Sequence, residues 1–164
     1  VVGCIKHQAQ PHSQPQRVAI VGERVPAGPA FSTKDEQGKA IDLNEFLIQN
    51  PISTFIAHVD SESMLGAGLE VNDPIIIDRS IEAKHYDIVV ALIDNKDSTI
   101  KRLMMTNKMS KSDIKDIFGD ENYPLPQLWL KAENPEYEHI IPTENQTFVI
   151  WGVVTFNLKR LYHR

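Results

Sequence analysis

The chain has 164 residues, 41% hydrophobic and 24% charged, with a formal net charge of −5 from 17 Lys and Arg against 22 Asp and Glu. That length carries one substantial core rather than two, and no apolar run approaches the roughly 20 residues needed to cross a bilayer. A chain that neutralises phosphates normally shows the opposite charge balance. The expectation is a soluble protein with no membrane segment and no strong direct nucleic-acid binding.

Cys4 is the only cysteine, so no disulfide can form within the chain and a reducing, cytoplasmic setting is expected. Val1-Val2-Gly3-Cys4 has the form of the end of a lipobox. No basic or apolar signal region accompanies it, and lipidation is not expected.

Residues 6 to 16 are rich in Gln, Pro and His and offer little apolar surface to offset the entropy of ordering. Residues 1 to 31 therefore read as a flexible, extended arm. Val18 to Val21 has the composition of a short strand, and the prolines and glycines from Gly22 to Ala30 exclude a helix there. The remaining residues, 32 to 164, form the body. Its one confident helix is predicted from Asp42 to Gln49, where Asp42 suits the N-cap, Glu45 follows three residues later, and Leu43, Phe46 and Leu47 share a face before Pro51.

Beyond Pro51 the period changes. Thr54 to Val59, Pro74 to Ile77, Asp87 to Ile93, Ser98 to Met104, Leu128 to Lys131 and Thr147 to Leu158 are rich in Val, Ile, Phe and Thr and bounded by turn residues, so the body is predicted to be mainly β. Residues 106 to 126 interrupt this rhythm with mixed charge, a possible helical turn at Ser112 to Phe118 and a loop from Gly119 to Pro124. They read as a surface insertion.

Two residues are candidates for chemistry: Ser63, within Ser61-Glu62-Ser63-Met64, and Lys101, within Ser98-Thr99-Ile100-Lys101-Arg102-Leu103. By themselves they say little, because a lysine that alternates with Ile100 along a strand ordinarily points to solvent. Their context says more. Ala27-Gly28, Ile41 to Gln49, Asp60 to Met64, Asp73-Pro74-Ile75-Ile76-Ile77-Asp78, His85 to Ala91, Thr99 to Leu103, Ala132-Glu133-Asn134-Pro135-Glu136-Tyr137 and Trp151-Gly152-Val153-Val154 occur in order at compatible spacing. Together they resemble the self-cleaving Ser/Lys peptidases of the LexA and UmuD group, over most of residues 25 to 158.

The resemblance implies a compact, twisted β body of that group's C-terminal peptidase type, with Ser63 as nucleophile and Lys101 as general base. It implies that the Ser63 backbone N–H stabilises the oxyanion and that the cut falls between Ala27 and Gly28. A serine needs a base, and a lysine is one only when its ammonium form is destabilised, so Lys101 is expected to be buried. The short arm and the phrase from Ile41 to Pro51 are closer to UmuD than to the repressors. That implies a homodimeric accessory subunit of an error-prone, lesion-bypassing DNA polymerase, cut with the help of a RecA filament on single-stranded DNA. No cofactor and no metal are implied.

The chain departs from the group's pattern at four positions. Ser61-Glu62 replaces Gly-Asp, which is expected to tighten the backbone beside the nucleophile. Asn72 and Tyr86 stand where glycine is usual; Asn tolerates a left-handed backbone. The 106 to 126 insertion is longer than expected for UmuD.

Other assignments compete. Ser63, His85 and Asp87 could be written as a Ser-His-Asp triad, but His85 suits a turn before a strand. His7, His12, His58, His139 and His163 lack metal-ligand spacing. Trp129 and Trp151 read as core or interface anchors. Alternative functions are the self-cleaving C-terminal domain of a LexA-type repressor, a non-catalytic dimerisation module, and, more distantly, a leader peptidase of the same chemistry, for which a membrane anchor would be needed.

Overall fold

A computed structural model describes residues 7–8, 17–21 and 37–162. Cys4, the Ala27-Gly28 dipeptide and most of the Gln- and Pro-rich stretch lie outside the described residues. Three short strands come first: β1 (His7–Gln8), β2 (Arg17–Val21) and β3 (Gln37–Asp42). The strand expected at Val18 to Val21 lies within β2, and its antiparallel partner is β3, which the sequence reading had not assigned. Gln37, Gly38 and Lys39 carry no β-branched signal, so this strand is defined by its partner rather than by its own residues.

Helix α1 (Leu43–Leu47) is a single turn. The Asp42 carboxylate accepts the Asn44 N–H at 2.8 Å, the N-cap interaction that satisfies one of the first turn's free donors. The helix stops two residues before Gln49 because Ile48 is already extended, with φ −125° and ψ 91°.

The body follows as β4 (Thr54–His58), β5 (Pro74–Asp78), β6 (Ile88–Ile93), β7 (Asp97–Met105), α2 (Lys111–Phe118), β8 (Leu128–Lys131) and β9 (Phe148–Asn157). Every strand expected there is present, within a residue or two at its ends. They join β1 in one antiparallel sheet of order β1-β4-β5-β9-β6-β7-β8. The fold is mainly β, as expected.

A second helix is a correction: α2 is the longer of the two. Ser110 and Asp113 form a reciprocal capping box and Gly119 closes the end in the left-handed conformation, at φ 78°. Phe118 stacks on Tyr123 and meets Trp129 edge-on. The stretch from 106 to 126 is thus tied to the body through Trp129, which is fully buried.

The sheet is covered on both faces. Val59, Met64, Leu69, Ile75, Ile77, Val90 and Ile100 form one buried cluster, while Val89, Ala91, Leu103, Leu130 and Val153 form another. Val89 and Ala91 of β6 fall into one cluster and Val90 between them into the other, because side chains alternate across a strand. Two-sided cover is what allows a lysine next to Ile100 to be buried. β9 is irregular, with register shifts against both neighbours. At Gly152, a Cβ would come within 2.6 Å of Ile77 Cγ2, so glycine permits the close approach at the sheet centre.

Candidate active site

Ser63 lies in the connection between β4 and β5, just ahead of a 3-10 turn at Leu65–Ala67. Lys101 lies in the middle of β7, where it pairs with Val89 of β6. The fold brings them together across 38 residues: Lys101 Nζ donates to Ser63 Oγ at 2.7 Å. Ser63 is 2% exposed and Lys101 6%. The expected burial of Lys101 is therefore present, and with it the physical condition for a lysine base.

Lys101 Nζ has two further acceptors, Thr99 Oγ1 at 3.0 Å and the Ile100 carbonyl at 3.2 Å. Thr99 precedes Lys101 by two residues on one strand, so both side chains leave the same face. Three acceptors match the three donors of an ammonium. A neutral amine would keep two of these bonds and turn its lone pair to the third. Burial drives the Lys101 pKa below its ordinary value, and the opposing attraction of the Asp60 carboxylate is outweighed.

Backbone hydrogen bonds hold the serine segment against residues 132 to 134. The Glu133 N–H donates to the Ser63 carbonyl at 2.9 Å, and the Gly66 N–H donates to the Glu133 carbonyl at 2.7 Å. Asn134 Nδ2 donates to the Glu62 carbonyl at 2.9 Å. Among the described residues no backbone carbonyl takes the Ser63 N–H.

Glu133 is itself held by charge. Arg102 Nε reaches one carboxylate oxygen at 2.5 Å and Lys131 Nζ the other at 2.9 Å. Burial alone would raise the Glu133 pKa, but the hydrogen bonds from Lys131 and Arg102 prevail and hold it below its ordinary value. Arg102 also donates to the Tyr86 carbonyl at 2.7 Å. Lys101 and its neighbour Arg102 thus serve opposite sides of β7, one meeting the serine and the other bracing the segment that holds it.

The triad alternative is not assembled. His85 Nδ1 accepts the Met105 N–H at 3.0 Å, and Asp87 accepts the Lys84 N–H at 2.7 Å within its turn. Ser63 Oγ meets Lys101 and Ser61 instead. Trp129 is a core residue, whereas Trp151 is half-buried, packs on Phe55 and lies under the Arg79 guanidinium at 4.8 Å. Among the described residues no group of three or more His, Cys, Asp or Glu is arranged to hold a metal, and no helix is long and apolar enough to cross a membrane.

The departures from the group's glycines have two outcomes. Asn72 and Tyr86 do adopt left-handed backbone, at φ 72° and 75°, where glycine would be free of strain. Ser61 does not. Its hydroxyl instead lies 3.2 Å from Ser63 Oγ, a contact that glycine could not make. The sequence alone assigned no contact in the site to Thr99, Glu133 or Asn134, and to Ser61 only an effect on the backbone beside the nucleophile. The signal for Thr99 was its period-two spacing from Lys101; the others act through contacts that no local pattern encodes.

Fold and site together define a mainly β protein that buries a hydrogen-bonded serine–lysine pair between a strand and a braced loop. Residues 19–112 match the peptidase S24-like family, and the chain belongs to that family of peptidases. It is 30% identical to Protein ImpA of Escherichia coli over 141 residues, 86% of this chain and 83% of that one. To Protein MucA of Salmonella typhimurium it is 29% identical over 137 residues, 83% and 80% of the two chains. To a LexA repressor of Anaeromyxobacter dehalogenans it is 29% identical over 103 residues, 63% of this chain but 44% of the repressor.

Proposed function

We propose that this chain is a self-cleaving serine endopeptidase with Ser63 as nucleophile and Lys101 as general base. The observation that carries the reading is the buried 2.7 Å hydrogen bond between Lys101 Nζ and Ser63 Oγ. Neutral Lys101 takes the Ser63 proton as Oγ attacks the carbonyl carbon of Ala27. The oxyanion is met by the Ser63 N–H. Collapse breaks the bond to Gly28, whose amine receives the proton from Lys101, and water then releases the acyl group from Ser63. In this reading residues 1–31 are the arm that carries the cleavage site and residues 32–164 the peptidase body.

The biological role follows the resemblance to UmuD-type subunits: a cytoplasmic homodimer whose cleavage is stimulated by a RecA filament on single-stranded DNA. It then serves the catalytic subunit of an error-prone, lesion-bypassing polymerase in the response to DNA damage. The extent of the likeness favours this over the repressor reading, since 86% of this chain aligns with Protein ImpA and 63% with the LexA repressor.

The test is to incubate the intact chain with and without a RecA filament on single-stranded DNA and follow fragment masses for wild type, Ser63→Ala and Lys101→Ala. A single cut between Ala27 and Gly28, lost in both variants, is the expected result. An uncut wild-type chain under all conditions would point to a non-catalytic module.

A further inference from the structure

Ser61 stands two residues before the nucleophile, is half-buried, and places its hydroxyl oxygen 3.2 Å from Ser63 Oγ. A glycine at this position would have no side-chain donor to offer. The contact therefore adds a polar atom at the reacting oxygen.

The direction of that hydrogen bond depends on Lys101. When Lys101 is charged, its ammonium donates to Ser63 Oγ, and the Ser63 proton is free to go to Ser61. When Lys101 is neutral, the Ser63 proton goes to Nζ, and the Ser61 hydroxyl can donate to a Ser63 lone pair. A hydroxyl rotates to suit its partner. The form of the site that carries out attack is thus the form in which Ser61 donates.

During attack, negative charge moves from Ser63 Oγ to the carbonyl oxygen bound to the same tetrahedral carbon. A rotor already beside Oγ is placed to follow it. We propose that the Ser61 hydroxyl is a catalytic hydrogen-bond donor that works beside the Ser63 N–H to stabilise the oxyanion; this rests on the reading of Ser63 as nucleophile. The site is largely shielded from water, where such a donor has the greatest effect.

The experiment uses the full chain as wild type, Ser61→Ala, Ser61→Gly and Ser61→Thr. Two rates are measured across pH: formation of the fragment beginning at Gly28, and modification of Ser63 by a fluorophosphonate, read by intact mass. In the second reaction the Ser63 Oγ–P bond forms as P–F breaks. Fluoride leaves, the proton passes to Lys101, and the phosphonyl oxygen takes the oxyanion's place.

Both rates are expected to fall about 10- to 100-fold in the Ala and Gly variants, somewhat below the effect of an amide donor because a hydroxyl must also be ordered. The pH midpoint should not move, and Ser61→Thr should restore most of the rate. Equal plateau rates in wild type and Ser61→Ala would overturn the proposal, as would a loss that appears only as a shifted midpoint. Cleavage or labelling that persists in Ser63→Ala would overturn the nucleophile reading separately, and a wild type that neither cleaves nor labels would overturn both.

Discussion

Gly66→Ala perturbs the serine loop without touching its chemistry. The Gly66 N–H donates to the Glu133 carbonyl at 2.7 Å, and a Cβ at Gly66 would collide with that same carbonyl oxygen. The neighbour is backbone and cannot rotate away. Gly66 does not have the positive φ of Gly68, so the cost is steric rather than conformational. Overpacking of this kind costs about 1–3 kcal/mol and a weakened hydrogen bond about 1 kcal/mol more, giving a loss of about 2–4 kcal/mol. With a urea slope of about 2 kcal/mol per molar, the middle of the usual range, the unfolding midpoint should fall by roughly 1–2 M. The proper control is Gly68→Ala, where nothing lies within 4 Å of the new Cβ but φ is +79°. That change costs about 1–2 kcal/mol through backbone strain, less what alanine gains by restricting the unfolded chain, and it leaves the Glu133 contact intact. Self-cleavage should therefore slow in Gly66→Ala well beyond its slowing in Gly68→Ala. A Gly66→Ala protein with the wild-type midpoint and cleavage rate would refute the claim that residues 132 to 134 brace the serine.

Further outcomes are expected. Because burial lowers the Lys101 pKa, the cleavage rate should rise with pH and level off before the ordinary lysine value of about 10.4; a log-linear rise through that value would argue against a buried base. The same shift sets a stability trend. Below its folded pKa the buried ammonium destabilises the native state, and the penalty is relieved as pH rises towards the unfolded value, so urea midpoints of wild type relative to Lys101→Met should converge upwards across that window. Glu133→Gln should lower stability at neutral pH by about 1–2 kcal/mol. That deficit should shrink as pH falls through the depressed Glu133 pKa, because the wild-type carboxylate loses its charge there; a deficit independent of pH would show that the charge is not what holds Arg102 and Lys131. Tyr86→Gly removes a left-handed tyrosine at φ 75° at the expense of a freer unfolded chain, and denaturation should find it unchanged to about 1 kcal/mol more stable. A loss above about 1 kcal/mol would mean that the tyrosine ring, packed at a tilt against His85 with ring centroids 4.1 Å apart, stabilises more than its backbone costs.

Much of the fold was legible because a strand buried on both faces is written as a short unbroken apolar run between turn residues. Ile75 to Ile77 and Ile88 to Ile93 are such runs, and their ends are marked by Asp, Asn and Pro. Pairing order is different, since nothing in β9 says that it belongs between β5 and β6. α2 was under-read because Lys111 to Phe118 mixes charge with few apolar residues. Its start was nonetheless present in Ser110 and Asp113, a capping pair written with Asp in place of the more usual Glu. At the site, Ser63 and Lys101 were legible through resemblance and not through their spacing. The bracing by Glu133 and Asn134 was not, because Glu133 acts through its backbone, which every residue has, and the Asn134 amide reaches a carbonyl 72 residues away in the chain.

The place of β9 has a consequence for how the chain is made. In the sheet, β4 and β5 lie on one side of β9 and β6, β7 and β8 on the other. The serine follows β4 and the lysine sits in β7, so the two halves of the pair belong to hairpins that share no hydrogen-bonded edge until β9 arrives. β9 is the last of the described strands. A nascent polypeptide on the ribosome carries both residues well before the strand that joins their two hairpins, so until β9 emerges the serine loop is tied to the lysine's side of the sheet only through contacts such as those of residues 132 to 134.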